Sequence, residues 1–307
     1  MKGSLPKVSV ILPTYNRAHL VGRAIESVFK QSYSDLELIV VDDGSTDNTQ
    51  SDIKKFSDSR FRYVAISHGG GAAARNAGIQ AAKGQFIAFQ DSDDEWFPSK
   101  LEKQMNLFSE SNSEVGAVYC GFYKIGRDGM RKYYPGEEVH KKEGMIYREL
   151  LSGNFITTQS AVVRRECLDK VGCFDISLPG MQEWDLWIRV SEYYLFGYVP
   201  EALLVTYFTD DSITSNQSGR LKAKEIIFNK YTDAFRQYPK IYSSHAYAIG
   251  HALALKGDMS ESKHYLLESF KKRPWSMRSL ISYILAVTGS KRLYRAVSSI
   301  PRRLSRS

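Results

Sequence analysis

The sequence predicts an α/β protein with a mostly parallel sheet, helices on both sheet faces, and a helical C-terminal region. Three observations carry that expectation. In the first 95 residues, short apolar runs alternate with segments of helical period. The runs are apolar almost throughout, which is the pattern of strands buried on both faces. Charge then divides the chain: residues 220–307 hold 18 Lys+Arg against 5 Asp+Glu, and the remainder holds 24 against 29.

The elements follow in order. Val8 to Leu12 reads as a first strand, and Leu20, Val21, Ala24, Ile25, Val28 and Phe29 recur at helical spacing after it. Leu36 to Val41 is a second strand, Asp47 to Phe56 a short helix, and Phe61 to Ile66 a third strand. Ala72 to Ala82 is a helix and Gln85 to Gln90 a fourth strand. Pro98 opens a helix reaching Ser111, since proline suits a first turn. Val115 to Phe122 is a fifth strand. Residues 123–160 read as irregular, with a helix near Gly144 to Leu151, and Ser160 to Val163 as a further strand. A helix from Trp184 to Tyr194 and a strand or extended segment from Ala202 to Phe208 complete this part.

From about Gly219 the pattern is helical. A hairpin of Ala246 to Lys256 and Ser260 to Lys271 turns at Gly257-Asp258, and its second half faintly resembles a single tetratricopeptide unit without a second copy. The expected boundary lies near 218, dividing residues 1–218 from a basic region, 219–307.

Three cysteines, Cys120, Cys167 and Cys173, are too few and wrongly spaced for a disulfide framework or a zinc site, and fit a reducing compartment. The apolar run after Lys7 is too short for a signal peptide, and Leu280 to Val287 is too short for a membrane span. The expectation is a cytoplasmic protein. From Lys271 to Ser307 there are ten basic residues and no acidic one, which suits peripheral contact with an anionic membrane face or serves as a solvated helical surface. Among those cations stand Trp275, Leu280, Ile281, Tyr283, Ile284 and Leu285. No RNA-binding motif is visible and basicity is confined to the tail, so nucleic acid is not expected as a partner.

Ligands of parallel sheets bind beyond the carboxyl ends of the strands. Four such ends carry chemistry here. After the first come Pro13-Thr14-Tyr15-Asn16: Tyr15 could stack on a base, Thr14 or Asn16 could bond one, and Asn16 also reads as a helix N-cap. After the second come Asp42-Asp43-Gly44-Ser45. A carboxylate only accepts hydrogen bonds, so Asp42 would favour a base with a ring N–H, and the same residues also make ordinary turns. After the third, His68-Gly69-Gly70-Gly71 precedes an alanine-rich helix, allowing close backbone approach at Gly71. Arg75 there could meet a phosphate or ion-pair with Asp42 or Asp91. After the fourth come Asp91-Ser92-Asp93-Asp94, hard oxygen ligands for Mg²⁺ or Mn²⁺ carrying a diphosphate.

These runs, Val8 to Asn16, Val40 to Asp47, Gly70 to Gly78 and Asp91 to Asp94, resemble the family 2 glycosyltransferases of GT-A fold, a Rossmann-like architecture. The resemblance covers about residues 7–215. It implies an inverting transferase using a nucleotide-diphosphate sugar, usually UDP-linked, with Mg²⁺ or Mn²⁺. It also implies a donor half at 7–115, an acceptor half at 116–218, and Asp42 on the base, with Asp91 on the ribose and Asp93 on the metal. Ser92 lies between the two.

In that family the catalytic base opens a later helix, commonly as Glu-Asp before Trp-Asp-Leu-Trp. Here Gln182-Glu183 precede Trp184-Asp185-Leu186-Trp187, so Glu183 takes the base position and Gln182 replaces the usual Glu. Residues two apart on a helix do not share a face, and Asp185 has Arg189 at i+4 as a ready partner. Glu183 is the expected base, with Asp185 the alternative. Asp210 reads as a loop aspartate or an extra metal ligand. The expected acceptor is a glycan or a lipid-linked hydroxyl in surface-polysaccharide, glycolipid or glycoprotein glycan assembly. Competing readings are a sugar-phosphate nucleotidyltransferase, which would carry a Gly-rich basic loop after the first strand, and a non-catalytic sugar-nucleotide-binding scaffold.

Overall fold

The computed structural model describes residues 7–208 and 217–298. They fall into two units, one up to Ser215 and one from Asn216. The first unit is built on a nine-stranded sheet of order β3-β2-β1-β4-β8-β6-β9-β5, with β7 paired to β6. Its strands are β1 (Val8–Thr14), β2 (Leu36–Asp42), β3 (Phe61–Ala65), β4 (Phe86–Phe89), β5 (Glu95–Trp96), β6 (Val115–Ile125), β7 (Arg131–Tyr134), β8 (Ala161–Arg164) and β9 (Leu195–Tyr207). Its helices are α1 (Val21–Phe29), α2 (Thr49–Ile53), α3 (Gly71–Ala81), α4 (Lys100–Glu110), α5 (Tyr147–Ser152), α6 (Arg165–Val171) and α7 (Gln182–Ser191).

The first four strands are mutually parallel, as apolar runs alternating with helices predict, and the edge strand β3 is only half-buried. Every residue of β1 and β2 is buried, and each large aliphatic side chain among them contributes about 1.5–3 kcal/mol by leaving water. Thr14 pairs with Asp42, and Asp42 with Ala65, so the residues following these strands line one edge of the sheet. From β4 onward the sheet is mixed: β8 runs antiparallel to β4 and β6, and β9 runs parallel to β6. Helix α3 lies close on β1: a Cβ at Gly78 would sit 2.3 Å from Ile11 Cγ2.

Several boundaries differ from the sequence expectation. The second helix is confined to Thr49–Ile53, and α4 begins at Lys100 rather than Pro98, whose carbonyl accepts from Ser32 N. Strand β9 starts at Leu195, well before Ala202, because it follows β6 through register shifts around Cys120 and Gly121. The region read as irregular holds the β6–β7 hairpin. Asn16 is not the cap of α1, which starts at Val21 with no side-chain cap.

The second unit is helical: α8 (Gln217–Lys230), α9 (Thr232–Arg236), α10 (Pro239–Lys256), α11 (Met259–Lys272), α12 (Met277–Val287) and α13 (Lys291–Ser298). Helix α10 ends at Gly257, left-handed at φ 104°, and Asp258 caps α11 by accepting from Glu261 N. Tyr247, Leu266, Ala286 and Tyr294 form its core, with Tyr283 and Leu285 packed against it. So Tyr283 and Leu285 turn inward, while Ile281, Ile284 and Trp275 are exposed. Asp210 and the arginines beyond Ser298 lie outside the described residues. Among the described residues no helix is long and apolar enough to cross a membrane.

Candidate active site

The β1 and β2 loops are stitched together by Asn16. Held at φ 51°, its side-chain oxygen accepts from Thr46 N at 2.8 Å, and its own N–H donates to Ser45 Oγ at 2.9 Å. An αL asparagine that bonds locally is a turn device, and here it serves across loops instead of capping a helix. Asp42 is buried; its Oδ1 accepts from Ser45 N at 2.9 Å and its Oδ2 from Tyr63 OH at 2.8 Å. Each carboxylate oxygen keeps a lone pair for a further donor. Pro13 is buried in β1, and the Thr14 hydroxyl is buried without a hydrogen-bond partner. Tyr15 is exposed and stacks on His68 with ring centroids 4.2 Å apart.

Asp43 organises the glycine loop. Its two carboxylate oxygens accept from Gly69 N at 2.7 Å and Gly70 N at 2.8 Å, and His68 Nδ1 lies 2.9 Å from Oδ2. The loop then enters α3 at Gly71, where a Cβ would stand 3.1 Å from Arg75 Nη1. Arg75 donates from Nη2 to Asp91 Oδ1 at 2.7 Å, so the ion pair forms with Asp91 rather than Asp42. Asn76 bonds both ways with the Phe174 backbone, at 2.9 and 3.0 Å, and Phe174 packs edge-on to Phe89 of β4. Those contacts tie α3 and β4 to the segment leading into α7.

The Asp91–Asp94 loop is held from several sides. Arg23 Nη2 donates to the Asp93 carbonyl at 2.5 Å, and its guanidinium lies 4.2 Å from the Tyr207 ring centroid. Asp94 is buried, accepting from Gln159 Nε2 at 2.5 Å and Tyr207 N at 3.1 Å. Burial, and then the charges of Asp91 and Asp93, push its carboxyl well above the usual carboxylate range. Ser92 is buried beside them. Among the described residues no three His, Cys, Asp or Glu side chains converge as metal ligands. Two hard carboxylates plus substrate phosphates are nonetheless the donor set Mg²⁺ or Mn²⁺ accepts, and Asp91 with Asp93 matches it.

Helix α7 separates its acids. Trp184 and Trp187 turn inward and donate to the carbonyls of Leu150 and Ile156, at 2.6 and 3.1 Å. Asp185 is fully buried and ion-paired with Arg189 at 2.9 Å. Glu183, in the first turn, faces the other way; Asn154 Nδ2 donates to its Oε1 at 3.2 Å. Burial raises its carboxyl above the ordinary Glu value; the Arg75 charge opposes that rise and the Asp91 charge adds to it. The fold thus brings Glu183 within electrostatic reach of the Arg75–Asp91 pair, which comes from the other half of the first unit.

Asp43, His68, Arg23, Asn154, Gln159 and Tyr207 were not singled out from sequence. Only Asp43 and His68 had a signal, through their places in the strand-end loops. The others reach the site from elements whose register the sequence does not reveal.

The profile described as Glycosyl transferase family 2 matches residues 9–172, just over half of the chain. The Escherichia coli UDP-Glc:alpha-D-GlcNAc-diphosphoundecaprenol beta-1,3-glucosyltransferase WfgD is 31% identical over 75% of this chain and 83% of its own length. Among solved structures, S. aureus TarS 1-349 in complex with UDP-GlcNAc matches at TM-score 0.67 and 17% identity, over 95% of this chain and 90% of that one; the chain spans 54% of the longer TarS. The mannosyltransferase PcManGT from Pyrobaculum calidifontis, in complex with GDP-Man and Mn2+, matches at TM-score 0.59 and 20% identity, over 97% of this chain and 84% of that one. Likeness at these identities shows the fold, and the mixed sheet with its helical layers is of GT-A type. With the profile spanning the strand-end loops of β1 to β4, the chain belongs to glycosyl transferase family 2.

Proposed function

We propose that the protein transfers a sugar from a UDP-sugar to an acceptor hydroxyl with inversion, in the assembly of a cell-surface polysaccharide or glycolipid. The observation that carries the reading is that Glu183 lies within electrostatic reach of the Arg75–Asp91 pair. That supports Glu183 as the base of a site whose donor end is formed by Asp91 and its neighbours. The UDP-GlcNAc complex of TarS supports the donor class, and the lipid-diphosphate acceptor in the name of WfgD supports a glycan or lipid-linked acceptor.

In this reading Asp42 accepts the ring N–H of the base, with Pro13, Thr14 and Asn16 shaping its pocket and Tyr15 offering a stacking face supported by His68. Gly71 lets the backbone approach the donor, while Arg75 orients Asp91 for the ribose and Ser92 fixes the loop between the two carboxylates. Asp93, with Asp91, would hold a divalent cation, which when bound neutralises charge on the diphosphate. Glu183 takes the acceptor proton as that oxygen attacks the anomeric carbon from the face opposite the diphosphate. The transition state is oxocarbenium-like, as in glycoside hydrolysis. Asp185 serves the fold through Arg189.

Isothermal titration with UDP and Mn²⁺, followed by a UDP-release assay over a panel of sugar nucleotides, tests the proposal. Binding of UDP and release of UDP from one donor are expected. Release of pyrophosphate, or binding without turnover on any donor, would sink it.

A further inference from the structure

The second unit carries a surface made of none of the residues proposed for sugar transfer. Helix α12 packs inward through small residues: Ser279, Ser282 and Ala286 are buried, whereas Met277, Ile281, Ile284 and Val287 are exposed. The exposed four are spaced by four, three and three residues, so they form one stripe along the helix. Trp275, just before the helix, is 81% exposed, and Leu293 of α13 is also exposed. A surface helix ordinarily turns its large apolar residues to the core. A contiguous outward apolar stripe marks an interaction site.

Next to the stripe in sequence, Ser276, Arg278 and Ser279 help to line a cavity of about 340 Å³, together with Arg273, Tyr247 and His251. Among the described residues no carboxylate lines it. The Arg273 Nε is buried without a hydrogen-bond partner, and the Arg278 guanidinium lies 4.2 Å from the Tyr247 ring centroid. Guanidinium groups of this kind match phosphate oxygens, several N–H donors at once. The surrounding charge has one sign: residues 217–298 hold 15 Lys+Arg against 5 Asp+Glu.

We propose that this face docks on an anionic phospholipid surface. Trp275 and the α12 stripe enter the boundary between headgroups and acyl chains, and a lipid phosphate enters the Arg273–Arg278 cavity. An aromatic and aliphatic stripe bordered by cations is the pattern of helices that lie in the membrane plane. A second copy of the chain fits less well, since two units of such net positive charge repel one another. The docking is independent of the donor site, and its test reads no transfer activity.

The test is co-sedimentation of the full chain with phosphatidylcholine vesicles and with vesicles containing phosphatidylglycerol, at low and high salt. Light scattering without lipid and a titration with inorganic phosphate complete it. Binding to the anionic vesicles alone, released by salt, is expected. Arg273→Ala/Arg278→Ala and Ile281→Ser/Ile284→Ser should each lose about tenfold in partition, while UDP titrates unchanged as a check on folding. Should a variant fail to fold, the lipid and salt dependence of the unaltered protein still decides. Equal partition onto neutral vesicles, wild-type partition by both variants, self-association without lipid, or phosphate binding with no vesicle binding would each overturn the proposal.

Discussion

Asp185 and Arg189, one turn apart on α7, form a buried ion pair in which one carboxylate oxygen receives Nε at 3.0 Å and Nη2 at 2.9 Å. The same guanidinium donates to the carbonyls of Val171, Gly172 and Cys173. Removing one partner of such a pair leaves an uncompensated charge, at a cost of about 3–5 kcal/mol. Asp185→Ala should therefore lower the unfolding free energy by that much, read from urea titration. Glu183→Gln should leave stability near wild type while cutting transfer by about 10²–10⁴-fold with UDP affinity retained. The opposite pattern would assign the base to Asp185.

The Glu183 carboxyl lies above its ordinary value, chiefly through burial. A base works only as carboxylate, so kcat should rise with pH through a midpoint above the ordinary Glu range. The Arg75 charge favours the carboxylate and Asp91 opposes it. Arg75→Ala should move this limb to higher pH in a kcat profile at saturating donor. An unmoved limb would mean that the limb reports another group.

Chelation with EDTA should abolish transfer, and Mn²⁺ or Mg²⁺ should restore it. Asp93→Asn should weaken UDP binding in the presence of Mn²⁺ while leaving the metal-free affinity unchanged, as two titrations would show. Equal loss with and without metal would remove Asp93 from the ligand set.

Lys100 is wholly buried, bonded to Gln104 at 2.8 Å and lying over the Trp96 ring. Burial brings its pKa down to about 8. Between there and its unfolded value of 10.5 the unfolded chain binds the extra proton, so stability from this group rises with pH and is absent below pH 8. Over that window wild type should gain about 3 kcal/mol on Lys100→Met. Cys120, pushed up to about 11, binds its proton in the folded state and works in the opposite sense. Each group's charge acts on the other, so the comparison is made in a Cys120→Ser background, where the difference in unfolding free energy, measured by urea titration at several pH values, isolates the lysine.

Gly78→Ala would place a methyl 2.3 Å from Ile11 Cγ2. Overpacking of this kind costs about 1–3 kcal/mol. In the double variant with Ile11→Ala the loss should be smaller than the sum of the single losses, because the offending atom is gone. Thermal melts of the four proteins measure the coupling.

The part from β1 to β4 was legible because its strands are mostly apolar runs, each closed by a loop of distinctive chemistry. Val8 to Leu12 and Leu36 to Val41 needed no tertiary knowledge, and Asp42, Arg75 and Asp91 then fell on one sheet edge. The part from β5 to β9 was not legible for a physical reason. Strand β9 passes through Pro200 and holds its place through pairing with β6, which local sequence does not encode. Strand β5 is only two residues long. Asn16 carried a capping signature, yet its side chain spans two loops that are 30 residues apart. Gln159 and Tyr207 reach Asp94 from 65 and 113 residues away, and only the folded topology brings them there.

Asp43 fills two backbone N–H groups of the glycine loop, those of Gly69 and Gly70, with the protein's own carboxylate. The loop after β2 and the loop after β3 are therefore one heritable part. Recombination or grafting that exchanges either alone leaves a buried acid without donors or two amides without an acceptor. Chimeras meant to change donor choice should cross over before Asp42 and after Asn76, moving the two loops as a single cassette.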